Sequence, residues 1–94
     1  MSLFIMFGKA SPGAVEDVGP GRTRKAQGVI KELGGEIRDV YLLLGDPDLV
    51  MIVDLPSVEQ AMKASIALTK MSGVSFTTSP AVTVEDFDKF TADM

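Results

Sequence analysis

Four polar side chains stand at positions where they could contact a ligand: Arg22, Lys25, Tyr41 and Asp48. The sequence contains no histidine and no cysteine, which excludes thiolate nucleophiles, histidine general bases, Ser-His-Asp triads and the usual zinc sites. We therefore expect no metal site and no cofactor. Any catalysis would depend on carboxylates, basic side chains, the tyrosine or the substrate itself.

The basic residues Arg22, Arg24 and Lys25 lie at the start of a predicted helix. Positive charge there opposes the helix dipole, so some negative group should offset it, and an anionic ligand would do so. Carboxylates and phosphates both suit arginine side chains and helix N-termini. Arg22 and Lys25 are therefore candidate contacts for a small anionic molecule.

Arg22 is the stronger candidate because it shares a helix face with three apolar residues that should pack on the sheet. The residues on that face are Ala26, Val29 and Leu33. The alternative is that Arg22 covers apolar surface with its stem and pairs with Glu16, Asp17 or a hairpin aspartate.

Asp48 and Tyr41 are the remaining candidates. Asp46 and Asp48 flank Pro47, and such paired carboxylates suit acid–base work, although turn residues of this kind are usually structural. Tyr41 is the only tyrosine, and its hydroxyl needs a partner if it is buried. It serves either as a ligand contact and proton donor or as part of a core or interface.

The elements that position these residues follow from periodicity and turn signals. The order is β-α-β-β-α-β-α, which favours an α+β ferredoxin-like fold with an antiparallel sheet in the order 4-1-3-2 and the first two helices on one face. The predicted strands are 3–9, 36–45, 48–55 and 74–82, the predicted helices are 22–33, 57–72 and 83–90, and a loop covers 10–21.

Local signals refine these helices. Ser57 and Gln60 predict a capping box for the second helix, and Thr83 is a suitable N-cap for the third. Gly28 in the middle of the first helix costs about 1 kcal/mol relative to alanine, which predicts close packing at that position.

The length and net charge of the chain limit the classes of protein to which it can belong. Ninety-four residues predict a single domain covering 1–94, and the net charge of −4 argues against a nucleic-acid partner. The apolar run LFIMF is too short for a membrane span, so we expect a cytoplasmic protein without a membrane partner.

The two predicted central strands contain LFIMF and LVMIV, which do not alternate between apolar and polar residues. Both faces of the sheet are therefore apolar, while two helices cover only one of them. A second copy of the chain would cover the other face, so we predict a homodimer or higher oligomer. The alternative is that the third helix folds over the open face.

The segment LLLGDPDLVMIVDLPSVEQA resembles the GYD-domain family, which belongs to the dimeric α+β barrel superfamily. Gly45 and Asp48 match the glycine and aspartate of the family signature, whereas Pro47 stands at the tyrosine position. The resemblance implies a ferredoxin-like fold and oligomerisation but no established reaction. The wider superfamily includes cofactor-independent monooxygenases, isomerases and ligand-sensing regulatory domains.

Three functions are compatible with these residues. The first is a homo-oligomeric binding or regulatory module that holds a small anion at Arg22 and Lys25. The second is a cofactor-independent enzyme of monooxygenase or isomerase type that uses Tyr41 or Asp48 as proton carrier. The third is an assembly subunit without a ligand.

Overall fold

The structure, a computed structural model, describes residues 1–10 and 20–94. Most of the predicted loop between the first strand and the first helix, including Glu16 and Asp17, lies outside the described residues. In chain order the elements are β1 (Ser2–Ala10), α1 (Pro20–Glu32), β2 (Glu36–Leu42), β3 (Leu49–Leu55), α2 (Val58–Ser72), β4 (Val74–Ala81) and α3 (Val84–Thr91).

The four strands form one antiparallel sheet in the order β2-β3-β1-β4. This confirms the predicted ferredoxin-like topology. β1 and β3 are central, and their register pairs Ile5 with Ile52. β4 is an edge strand, as the proline at position 80 predicts, because proline has no N–H to donate to a second neighbour.

The ends of α2 are determined by local hydrogen bonds. The Ser57 hydroxyl accepts a hydrogen bond from the Gln60 backbone N–H at 3.3 Å, and Gly73 ends the helix with a φ of 74°. The reciprocal half of the predicted capping box is absent, because the buried Gln60 Oε1 has no hydrogen-bond partner. Glu59 and Lys63, four residues apart, form an ion pair on the exposed side of α2 at 3.5 Å.

The α1 helix begins at Pro20 and stops at Gly34, whose φ of 82° places it in the left-handed region. The prediction of close packing at Gly28 is wrong. A Cβ atom built on Gly28 meets no atom within 4 Å, and the residue is exposed to solvent.

The hydrophobic core lies between the sheet and the two helices α1 and α2. Alternate residues of the central strands, such as Phe4, Met6, Met51 and Val53, point to this covered face and are buried. The rest of the buried core consists of Ile30, Leu55, Ala61, Ala64 and Leu68, with Val74 buried beside it.

The opposite face of the sheet carries apolar side chains that the described part of the chain does not cover. We call this surface the open face, and its residues are Leu3, Ile5, Phe7, Tyr41, Val50 and Ile52. The α3 helix makes only scattered contacts with other elements and contains no buried residue. The alternative in which the third helix covers the open face is therefore not what the structure shows.

The turn between β2 and β3 is longer than predicted. β2 ends at Leu42 rather than at Gly45, and the Leu43 N–H donates to the Asp48 carbonyl at 2.8 Å across the connection. Leu44 consequently lies in the turn and is fully exposed. Among the helices of residues 1–10 and 20–94, none is both long and apolar enough to cross a membrane.

Candidate functional site

A cavity of about 630 Å³ opens on the covered face, at the end of the sheet where β1 ends and β3 and β4 begin. The N-terminal half of α1 and the C-terminal end of α2 form its other sides. Ligand pockets usually measure about 300–1,000 Å³, so the cavity is large enough for a small organic molecule.

The walls of the cavity are mainly apolar. Nonpolar side chains come from the sheet, from both helices and from the turn after β2. They are Ala10, Ala26, Ile37, Val40, Leu42, Leu43, Leu49, Met51, Leu68, Met71, Val74 and Phe76. Such walls favour a ligand with an apolar body, because contact removes nonpolar surface from water.

Arg22 lies at this cavity on α1, as the helix periodicity predicts, and it is partly buried. Its Nη2 donates a hydrogen bond to the backbone carbonyl of Ser72, the last residue of α2. Carbonyl groups at a helix C-terminus lack partners within the helix and carry partial negative charge. The α2 C-terminus therefore offsets part of the positive charge at the start of α1, and the contact orients the guanidinium group.

Asp48 also lines the cavity. Its Oδ2 accepts a hydrogen bond from the Ala10 backbone N–H at 2.8 Å, and its own N–H donates to the Gly8 carbonyl at 2.9 Å. These bonds tie the start of β3 to the end of β1. Asp48 therefore has structural contacts of its own at the start of β3 and also borders the cavity.

The contacts of Arg22 and Asp48 lie at the same corner of the fold. Ala10, whose N–H donates to Asp48, pairs in register with Val74. The Val74 N–H donates to the Ser72 hydroxyl at 3.1 Å. Ser72 in turn accepts the hydrogen bond from Arg22. We call this corner the polar end of the cavity, defined by Arg22 and Asp48.

The structure places the other two candidates elsewhere. Lys25 is exposed and is not among the residues that line the cavity. Tyr41 pairs with Val50 on the open face and is 54% exposed, so it lies on the opposite side of the sheet from the cavity. Tyr41 and Asp48, the two proposed proton carriers, are therefore not brought together.

Sequence reasoning missed two contributions to the cavity. One is the Ser72 carbonyl, a backbone group at the end of a helix, for which the sequence holds no signal specific to Arg22. The other is the pair Leu42 and Leu43, of which Leu42 is the last residue of β2 and Leu43, which we predicted to lie in the strand, begins the turn. Their signal was the continuous run LLL, which is more apolar than an edge strand needs.

The charges at the cavity balance among the residues that the structure describes. Arg22 is the one basic side chain of that lining and Asp48 is the one acidic side chain. Within the same described ranges, no group of three or more aspartate, glutamate, histidine or cysteine residues is placed to hold a metal ion.

These features define a small α+β domain with a ferredoxin-like topology, one covered sheet face and a cavity at the end of that face. The family model of the GYD domain matches residues 4–91. The chain therefore belongs to the GYD domain family. No curated protein matches the chain in sequence.

The fold is also similar to a solved structure, the crystal structure of Mycobacterium tuberculosis leucine response regulatory protein (LrpA). The TM-score is 0.57 and the sequence identity is 12%. The similarity covers 87% of this chain and 51% of the LrpA chain, so this chain spans about half the length of that protein. At this identity the likeness shows a shared fold.

Proposed function

We propose that the protein is a homo-oligomeric ligand-binding module, whose cavity takes a small organic acid with an apolar body. The observation that carries the proposal is the guanidinium group of Arg22 at an otherwise apolar cavity of about 630 Å³. An apolar cavity with few convergent polar groups is the usual form of a small-molecule site.

The chemistry of binding follows from the two kinds of surface. The apolar walls would gain about 25 cal/mol for each Å² of nonpolar ligand surface removed from water. The guanidinium group would donate charge-assisted hydrogen bonds to the ligand carboxylate. The Ser72 carbonyl already orients Arg22 in the free protein. The Arg22 side chain therefore loses less conformational entropy when a ligand binds.

A regulatory role is the form of this function that we favour. The wider superfamily includes ligand-sensing domains, and the structurally similar LrpA is a leucine response regulatory protein. A binding domain suits such a role because binding can shift an equilibrium between states of an oligomer. We also expect the module to act in the cytoplasm, which is a prediction from the sequence.

The proposed second copy would cover the open face. Ile5 and Ile52 pair at its centre, and Phe7 is 37% exposed beside them. Contiguous apolar surface of this kind on a soluble domain usually marks an interface. Sheet-to-sheet packing of two copies would bury it at the spacing of about 10 Å that facing sheets adopt.

Isothermal titration calorimetry with 3-phenylpropanoate tests the ligand proposal. The neutral comparison compound is 3-phenylpropanol, which has the same phenyl ring and carbon chain but a hydroxyl in place of the carboxylate. We expect the acid to bind more tightly than the alcohol. The variant Arg22→Gln removes the charge but keeps an amide donor for the Ser72 carbonyl, and it should weaken acid binding at least tenfold.

Arg24→Gln is the matched control, because Arg24 lies on the same helix but is exposed and outside the cavity lining. Its affinity for the acid should equal that of the wild type. Urea unfolding of each variant shows whether the fold is intact. Equal affinities for the acid and the alcohol, or equal losses in both variants, would contradict the proposal.

A further inference from the structure

From two exposed apolar clusters at opposite ends of the sheet, we infer that α3 of one copy packs against the turn after β2 of a second copy. We call this turn the leucine turn, and its residues are Leu43 and Leu44. The inference rests on the proposed homo-oligomer and names a second part of its interface. In a two-fold dimer the contact would occur twice.

The first cluster is the apolar side of α3. Val84, Phe87 and Phe90 recur every three residues, which places them on one side of the helix. The Phe87 and Phe90 rings meet edge to face with centroids 5.2 Å apart, and both rings remain accessible. Because α3 contains no buried residue, this aromatic cluster does not contribute to the core of its own copy.

The second cluster is the leucine turn, which lies at the other end of the sheet. Leu44 is fully exposed, and Leu43 remains accessible although it lines the cavity. The turn precedes β3 at the end where β4 begins, whereas α3 follows the last residue of β4. The eight residues of β4 span about 25 Å, so the two clusters lie at opposite ends of one copy.

The area of the open face indicates that a dimer needs more contact than this face provides. A stable interface buries about 800 Å² on each partner. Aromatic side chains bury about 150–250 Å² each, so the exposed fractions of Phe7 and Tyr41 amount to about 200 Å² together. The other four open-face residues are half-buried and add less. Two α3 contacts would supply apolar area that the open face lacks.

The orientation of the two copies follows from charge. If the two-fold axis is parallel to the strands, both α3 helices lie at the same end of the dimer. Their acidic residues Glu85, Asp86 and Asp88 would then lie close to the same residues of the other copy, and like charges repel. If the axis is perpendicular to the strands, each α3 lies at the end that carries the leucine turn of the other copy. Charge therefore favours this second arrangement.

Sedimentation of two single variants tests each side of the contact. Phe90→Lys and Leu44→Glu each place a charge against apolar surface of the second copy. Both positions are exposed in one copy, so the fold should stay intact, which far-ultraviolet circular dichroism checks. We expect each variant to raise the dissociation constant of the oligomer at least tenfold.

The double variant tests whether the two positions touch. Residues in contact have non-additive effects, whereas distant residues have additive ones. With Phe90→Lys and Leu44→Glu in the same chain, lysine and glutamate would meet in both contacts of the dimer. We expect a dissociation constant no higher than that of either single variant. A value that multiplies the two single losses would overturn the contact.

Ile66→Lys is the matched control, because Ile66 is exposed to nearly the same extent as Phe90, 57% against 60%. It should sediment like the wild type. If neither single variant weakens association more than this control does, the inference is wrong. The proposed open-face interface then still stands if Ile52→Lys weakens association. If the wild-type protein sediments as a monomer, both the inference and the proposed oligomer are wrong.

Discussion

The two faces of the sheet are made from the same strands and from similar residues, but their surroundings differ. On the covered face Phe4 and Met6 are buried under α1 and α2. On the open face their neighbours Ile5 and Phe7 remain accessible in the described chain. Successive side chains of a strand point to opposite faces of the sheet. One apolar segment therefore supplies residues both to the core and to the surface.

From this comparison we predict two different roles for the apolar residues of the sheet. Covered-face residues should determine whether the chain folds, because their burial supplies most of the favourable free energy of a small domain. Open-face residues should instead determine whether folded chains associate. Substitutions that separate folding from association therefore test the distinction directly.

The largest effect is expected in the core. Met6→Ala removes a fully buried side chain and leaves a cavity, so we expect the free energy of unfolding to fall by about 2–5 kcal/mol. Met62→Ala is the matched control, because Met62 lies on the outer side of α2 and is 62% exposed. Its effect should stay within about 0.5 kcal/mol. Urea unfolding measures both, and similar losses would argue against the buried position of Met6.

The next effect concerns association. Ile52→Lys places a charge at the centre of the open face, where a second copy would have to desolvate it. We expect the dissociation constant of the oligomer, measured by sedimentation, to rise on the order of 100-fold, which corresponds to about 3 kcal/mol. Far-ultraviolet circular dichroism should show a folded chain.

Ile66→Lys provides the comparison for this substitution. Ile66 is on the exposed side of α2, outside both the core and the open face. It should leave the dissociation constant unchanged. A wild-type protein that sediments as a monomer, or equal weakening by both lysine variants, would show that the open face is not the interface.

Most of the fold could be predicted because its signals are local. Ser57 and Thr83 accept the expected N-cap hydrogen bonds, and Gly34 ends α1 in the left-handed conformation. The two central strands were recognisable because only they lack alternation. The end of β2 was predicted incorrectly, because the run of leucines that suggested a strand continues into an irregular turn beyond Leu42.

The site was less predictable because it depends on contacts between distant parts of the chain. Helix periodicity placed Arg22 on the face towards the sheet, and Asp48 was identified from the turn. No local pattern shows that Arg22 contacts Ser72, which lies 50 residues away. Tyr41 shows the same limit, since alternation alone does not reveal which face of an apolar strand the helices will cover.

A smaller effect is expected at Gly35, where the backbone passes close to the end of β3. A Cβ atom at Gly35 would overlap the Asp54 carbonyl oxygen and lie 2.6 Å from the Leu55 Cδ2 atom. Gly35→Ala must therefore displace backbone, and we expect a loss of about 1–3 kcal/mol in the free energy of unfolding. Thermal unfolding should show a decrease in Tm of several degrees. An unchanged Tm would contradict this close approach.

The smallest effect has the opposite sign. Gly28 lies in the middle of α1, exposed and with open space around the position of a Cβ atom. Because alanine restricts the unfolded chain and favours the helix, Gly28→Ala should raise the free energy of unfolding by up to about 1 kcal/mol. The same thermal unfolding experiment should show an increase in Tm. A decrease in Tm would mean that another surface packs against α1 at Gly28. If diluting the protein removed the difference in Tm between Gly28→Ala and the wild type, that surface would belong to a second copy of the chain.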